Sequence, residues 1–182
     1  MKLTLLSTLI GIAIFSAGPA SARATPEAKA AYTQAKDRAA ADYKAAKARC
    51  DIITGNPKDV CIAEAKAVRV KTVEEASALY KNTLKAFTQS RMKIAAASYE
   101  LDKVKCNALT GNDKDICVSQ AKAARVAAES DAKADKKAIE ARTDARDDKR
   151  EAEYKVAMEK CDAFAGAAKD ACVATAKSQY GK

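Results

Sequence analysis

The chain has no histidine, no tryptophan and only three phenylalanines. Without imidazole, acid–base chemistry falls to Asp, Glu, Lys or Tyr, and the commonest metal ligand is missing. Helix breakers are nearly as scarce. Past residue 22, glycine stands only at Gly55, Gly111, Gly166 and Gly181, and proline only at Pro26 and Pro57. There is accordingly no Gly-rich phosphate loop, no nucleophile elbow and no metal-binding helix motif. Aromatics make up 5% of the chain, too few to interleave with its basic residues, so nucleic-acid binding is disfavoured. Large aliphatic residues are thin as well. Hydrophobic content is 48%, but about half of that is alanine, which favours helix and adds little to a core. These shortages argue against a compact single core and favour an elongated helical assembly.

What the chain does have is one cysteine unit written three times: Cys50 to Cys61, Cys106 to Cys117 and Cys161 to Cys172. Each pair encloses ten residues, with a central glycine and a Lys-Asp pair before the second cysteine. Tyr43, Tyr99 and Tyr154 each stand seven residues before the first cysteine of their unit. A fixed period with matched landmarks signals duplication of one supersecondary unit. The repeats divide the chain into residues 23–84, 85–138 and 139–182, after a segment at 1–22.

That first segment reads as a secretory signal: Met1-Lys2, an apolar run from Leu3 to Phe15, and small residues Ala20-Ser21-Ala22 as a cleavage site. The apolar run is too short to span a bilayer, and no later segment is apolar enough. The mature chain is thus expected in the periplasm, with full secretion as the alternative, where disulfides form.

Between the glycines run stretches rich in Ala, Lys, Glu and Arg, which predict helices near 27–54, 57–109, 113–165 and 168–180. The 85–92 and 128–137 regions are the expected places for any break in the two long ones. At the turns, Gly55 suits a left-handed helix end, Asn56 a cap for the next helix, and Pro57 its first position. Gly111 and Asn112 repeat this in the second unit, whereas the third, at Gly166, lacks the Asn. Each unit therefore predicts an αα-hairpin in which its own two cysteines meet. Cys50–Cys61, Cys106–Cys117 and Cys161–Cys172 are expected as staples. Redox pairs favour C-x-x-C spacing, and two thiolates per unit do not make a zinc site.

Two weaker signals point to contacts. Lys58, Lys114 and Lys169 recur at the start of a helix, where a cation is mildly unfavourable; they read as solvated side chains or, alternatively, as a repeated anion-contact surface at the hairpin tips. Tyr80, Leu84, Phe87, Arg91 and Ile94 follow helical spacing in a stretch with no acid from Ala76 to Tyr99. Packing against helix 1 around Tyr32 accounts for part of that stripe. Self-association through 79–94, or contact with an anionic membrane, would account for the rest. The 132–153 run balances its charges and reads as a solvated helix.

The signal, the Ala/Lys-rich helices and the repeated C-x10-C unit with G-N-x-K-D together resemble a group of uncharacterised proteobacterial exported proteins, often labelled TolA-like. The resemblance implies a cell-envelope setting, with anionic envelope components or other envelope proteins as partners. The twin C-x9-C hairpins of mitochondria are a looser likeness, since there two motifs pair with each other. The resulting expectation is an all-α, non-enzymatic envelope spacer or interaction module without a cofactor. The alternative is a periplasmic holdase chaperone using an exposed basic amphipathic helix.

Overall fold

The computed structural model describes residues 25–182, and the signal expected over 1–22 lies outside them. Helix α1, Pro26–Cys50, starts where the Thr25 hydroxyl accepts from the Ala28 N–H at 3.2 Å. Pro26 takes the first position, where no N–H is needed. Four more helices follow: α2 (Gly55–Lys81), α3 (Leu84–Cys106), α4 (Gly111–Cys161) and α5 (Gly166–Tyr180). No strand occurs among the described residues. The fold is all-α, as the composition indicates.

Three helices stop at the first cysteine of a unit, about one turn earlier than the breaker-free sequence suggests. There the chain tightens. The N–H groups of Ile53, Leu109 and Phe164 donate to the carbonyls of Cys50, Cys106 and Cys161 at 3.1, 3.0 and 3.1 Å. Such i→i−3 bonds satisfy carbonyls that a helix end leaves open. The glycines do take left-handed backbone, with φ of +66° at Gly55 and +55° at Gly111, but each opens the following helix instead of closing the preceding one. That moves the caps upstream to Thr54 and Thr110, neither with a side-chain cap bond. The expected Asn56 cap does not form, and its Oδ1 is buried without a hydrogen-bond partner.

The helix expected over 57–109 is broken, three residues before the anticipated region. Asn82 ends α2 in left-handed conformation (φ 43°), its N–H donating to the Ala78 carbonyl at 2.8 Å. Thr83 then caps α3 by accepting from the Ala86 N–H at 3.1 Å. Asn tolerates this backbone and Thr is a good N-cap, so the pair both stops and restarts a helix. The matching place in the second unit, Ala138-Ile139, has neither residue. Helix α4 accordingly runs unbroken for 51 residues, about 75 Å.

Each helix packs only on its neighbours in the chain: α1 on α2, α2 on α3, α3 on α4, and α4 on α5. The product is a zigzag one helix thick. Ion pairs mark its register. Lys93–Glu74 at 2.9 Å and Lys105–Glu64 at 3.5 Å tie α3 to α2, and Arg91–Asp135 at 2.6 Å ties α3 to α4. Lys182 pairs with Glu151 where α5 folds back on α4. Between those two attachments α4 is bare, and residues 144–150 are all exposed.

The seams are alanine. No Leu, Ile, Val, Phe or Met is fully buried among the described residues. The buried apolar positions are alanines such as Ala39, Ala78, Ala95 and Ala121, together with Cys50, Cys106 and Cys161. Alanine lets backbones approach closely, but each one removes little apolar surface from water. The staples therefore matter. Each closes a loop of about a dozen residues, which the chain-entropy relation values at about 3 kcal/mol.

Candidate functional site

Each cysteine pair closes on itself, with Cα atoms 5.7 Å apart in Cys50–Cys61, 5.7 Å in Cys106–Cys117 and 5.6 Å in Cys161–Cys172. No free cysteine remains among the described residues. The first cysteine of each unit is fully buried in its hairpin seam.

The turn lysines are placed by partners within the fold. Lys58 pairs with Asp51 at 3.1 Å, and Lys169 with Asp162 at 2.8 Å. The hydrogen bond and charge of Asp162 raise the Lys169 amine above its ordinary range. Each acid directly follows the first cysteine of its unit, and that was the signal available for a partner. The second unit has Asn107 at this position, and Lys114 makes no ion pair among the described residues. Nor do the three lysines share a surface. The first two turns lie at the same end of the zigzag, and the third lies at the far end of α4, about 75 Å away.

The basic stripe does not survive as one face, because the Asn82-Thr83 turn cuts it. Tyr80 belongs to α2 and stacks on Tyr32 of α1, ring centroids 5.2 Å apart and planes at 7°. The remaining residues belong to α3. Arg91 donates to Asp135 of α4, and half-buried Ile94 lines a shallow cavity of about 370 Å³ against α4 with Tyr99 and Arg125. Leu84 is half-buried in the first turn of α3, and Phe87 is 37% exposed. Packing on Tyr32 and α4 thus engages most of the stripe.

The repeated tyrosines pack across their hairpins, with Tyr43 beside Val68. Their contacts are cationic. Arg69 lies over the Tyr43 ring at 5.4 Å, and Arg125 and Lys103 lie over Tyr99 at 5.6 and 5.1 Å. Glu129, bonded to Arg125 at 2.7 Å, holds that guanidinium in place and raises its pKa further. In the third unit Tyr180 replaces the arginine and packs tilted on Tyr154, 6.0 Å between centroids, with Lys182 at 5.6 Å. The partner stands eight residues after the second cysteine in all three units, a spacing that could have disclosed it.

One feature had no forecast. Between α4 and α5 runs an open apolar groove of about 860 Å³, lined by Val156, Ala157, Phe164, Ala168, Ala176 and Tyr180. Val156 is 54% and Phe164 52% exposed. Among the described residues α5 packs on α4 alone, which leaves this face of the hairpin open.

No helix among the described residues is long and apolar enough to cross a membrane. Three internal disulfides fit an oxidising compartment. The fold and its turns define a class, the disulfide-stapled all-α zigzag. Comparison with protein-family models, curated proteins and solved structures finds no match for the chain.

Proposed function

We propose that this chain is an exported, non-enzymatic spacer of the cell envelope that presents interaction surfaces at two separated ends. The carrying observation is α4. A 51-residue helix holds two stapled turns at one end and a third at the other, about 75 Å apart. Its bare middle is a ladder of opposite charges, including Lys136–Glu140 at 2.7 Å and Arg150–Asp147 at 3.1 Å, which supports a helix in water without a neighbour. Each end displays an apolar turn side chain, Ile52 at 88% exposure on one and Phe164 on the other. Periplasmic export rests on the signal-like residues 1–22 and on the disulfides. The net charge of +9 favours anionic envelope components or acidic protein surfaces as partners.

Photo-crosslinkers at Ile52 and Phe164 in intact cells test the reading. A spacer gives a defined partner at each end, with different partners at the two. The holdase alternative draws on exposed Leu79 (68%) and Phe87, which flank the Asn82-Thr83 turn. It predicts crosslinks to many unfolded clients after heat stress and no defined partner at rest, a result that would sink the spacer.

A further inference from the structure

We infer that the groove between α4 and α5 is a dimer interface that pairs with the same groove of a second copy of this chain. It rests on the groove and its rim charges and not on the length of α4, and it makes a second copy the partner met by Phe164.

The hairpin of α4 and α5 is the least supported part of the fold. Helices α2 and α3 each have neighbours on two sides, whereas α5 touches only α4, and this part of α4 touches only α5. On one face of this two-helix unit Val156, Phe164, Ala168 and Ala176 converge on the open groove. A one-seam hairpin with half-exposed Val and Phe gains most from a layer that closes that face, and four helices are the smallest arrangement that gives both hairpins a covered core.

Charge selects the occupant and the symmetry. Glu153 and Lys160 both line the groove on α4, on either side of Val156 and Ala157 and seven residues apart, so they share a helix face. A two-fold axis crossing α4 between Val156 and Ala157 sets the two α4 helices antiparallel. Glu153 of one copy then meets Lys160 of the partner subunit, and the contact occurs twice. Lys160 makes no ion pair within its own chain among the described residues. Glu153 is met only by Lys149, at 4.0 Å, the outer limit of such a contact. The rim is thus self-complementary around an apolar centre, which is what an isologous interface requires.

Sedimentation equilibrium on the disulfide-bonded chain, purified without reductant, tests this. The expected result is a concentration-dependent dimer below about 100 µM. Val156→Glu should weaken it by roughly a hundredfold or more, since a charge would be buried at the axis. Glu153→Lys should weaken it about tenfold by setting like charges together, and adding Lys160→Glu in the same chain should restore it. That rescue separates an interface effect from misfolding. A monomer throughout this range, even one whose groove holds a helix of some other protein, overturns the inference. So does a dimer indifferent to Val156→Glu, or one that the double reversal fails to restore.

Discussion

The Arg69 guanidinium lies 5.4 Å from the centre of the Tyr43 ring, across the seam of the first hairpin. Arg125 and Tyr99 repeat the contact at 5.6 Å one unit on. A partly exposed cation–π contact contributes about 0.5–1 kcal/mol. A double-mutant cycle on Tyr43→Leu and Arg69→Met should give a coupling of that size by thermal or urea unfolding. Additive single effects would reduce the pair to coincidence.

The third disulfide should matter locally more than the other two. Helix α5 has 15 residues and one neighbour, and a helix of that length is marginal alone in water. Replacing Cys161 and Cys172 with Ser should strip hydrogen-exchange protection from 166–180 while α2 and α3 keep theirs. The same change at Cys50 and Cys61 should leave α2 folded, held by its other seam with α3. Persistent protection of α5 without its staple would contradict this ordering.

Asp162 and Lys169 give the third turn a pH signature. The Lys169 amine titrates higher folded than unfolded, above the ordinary 10.5. Its contribution is therefore complete below pH 10.5 and fades as pH rises through the folded value. Asp162→Asn should lower Tm by a small, constant amount from neutral pH up to that value, and the gap should close above it. Asn107→Asp should give the second turn the same pair with Lys114, a gain of at most about 0.5 kcal/mol for so exposed a contact.

Asn82 and Thr83 place the one break in the central helices. Thr83→Ala should cost about 1 kcal/mol through loss of the cap on α3. Asn82→Gly should be tolerated, and Asn82→Val should cost about 1–2 kcal/mol because its branched side chain resists left-handed backbone. Equal melting of the Gly and Val variants would mean that the turn does not depend on that conformation.

Local signals in the sequence were readable and distant ones were not. The cysteine pairing followed from the spacing of each Gly turn. The tyrosine partners Arg69, Arg125 and Tyr180 are less legible, because each lies on the opposite helix, eight residues after the second cysteine of its unit. The break falls at Asn82-Thr83, a few residues before 85–92, because the cap chemistry of the Asn-Thr pair outweighs helix propensity. The partner of Lys58, Asp51, lies across the turn and seven residues away, outside the helical spacings that a sequence pattern displays. The groove at Val156 and Phe164 was invisible for a different reason. Its openness depends on which helices flank which, and no local pattern records that.

A spacer requires that α4 stay continuous and separate the two stapled ends. Non-cysteine spin labels at exposed Ala123 and Lys155 test it by dipolar distance measurement. A continuous helix predicts a single narrow distribution near about 48 Å. If α4 instead folded back near Ala138, as the first repeat does at Asn82, the labels would sit about 10 Å apart, the spacing of packed helices. That short distance would contradict the zigzag and the spacer built on it.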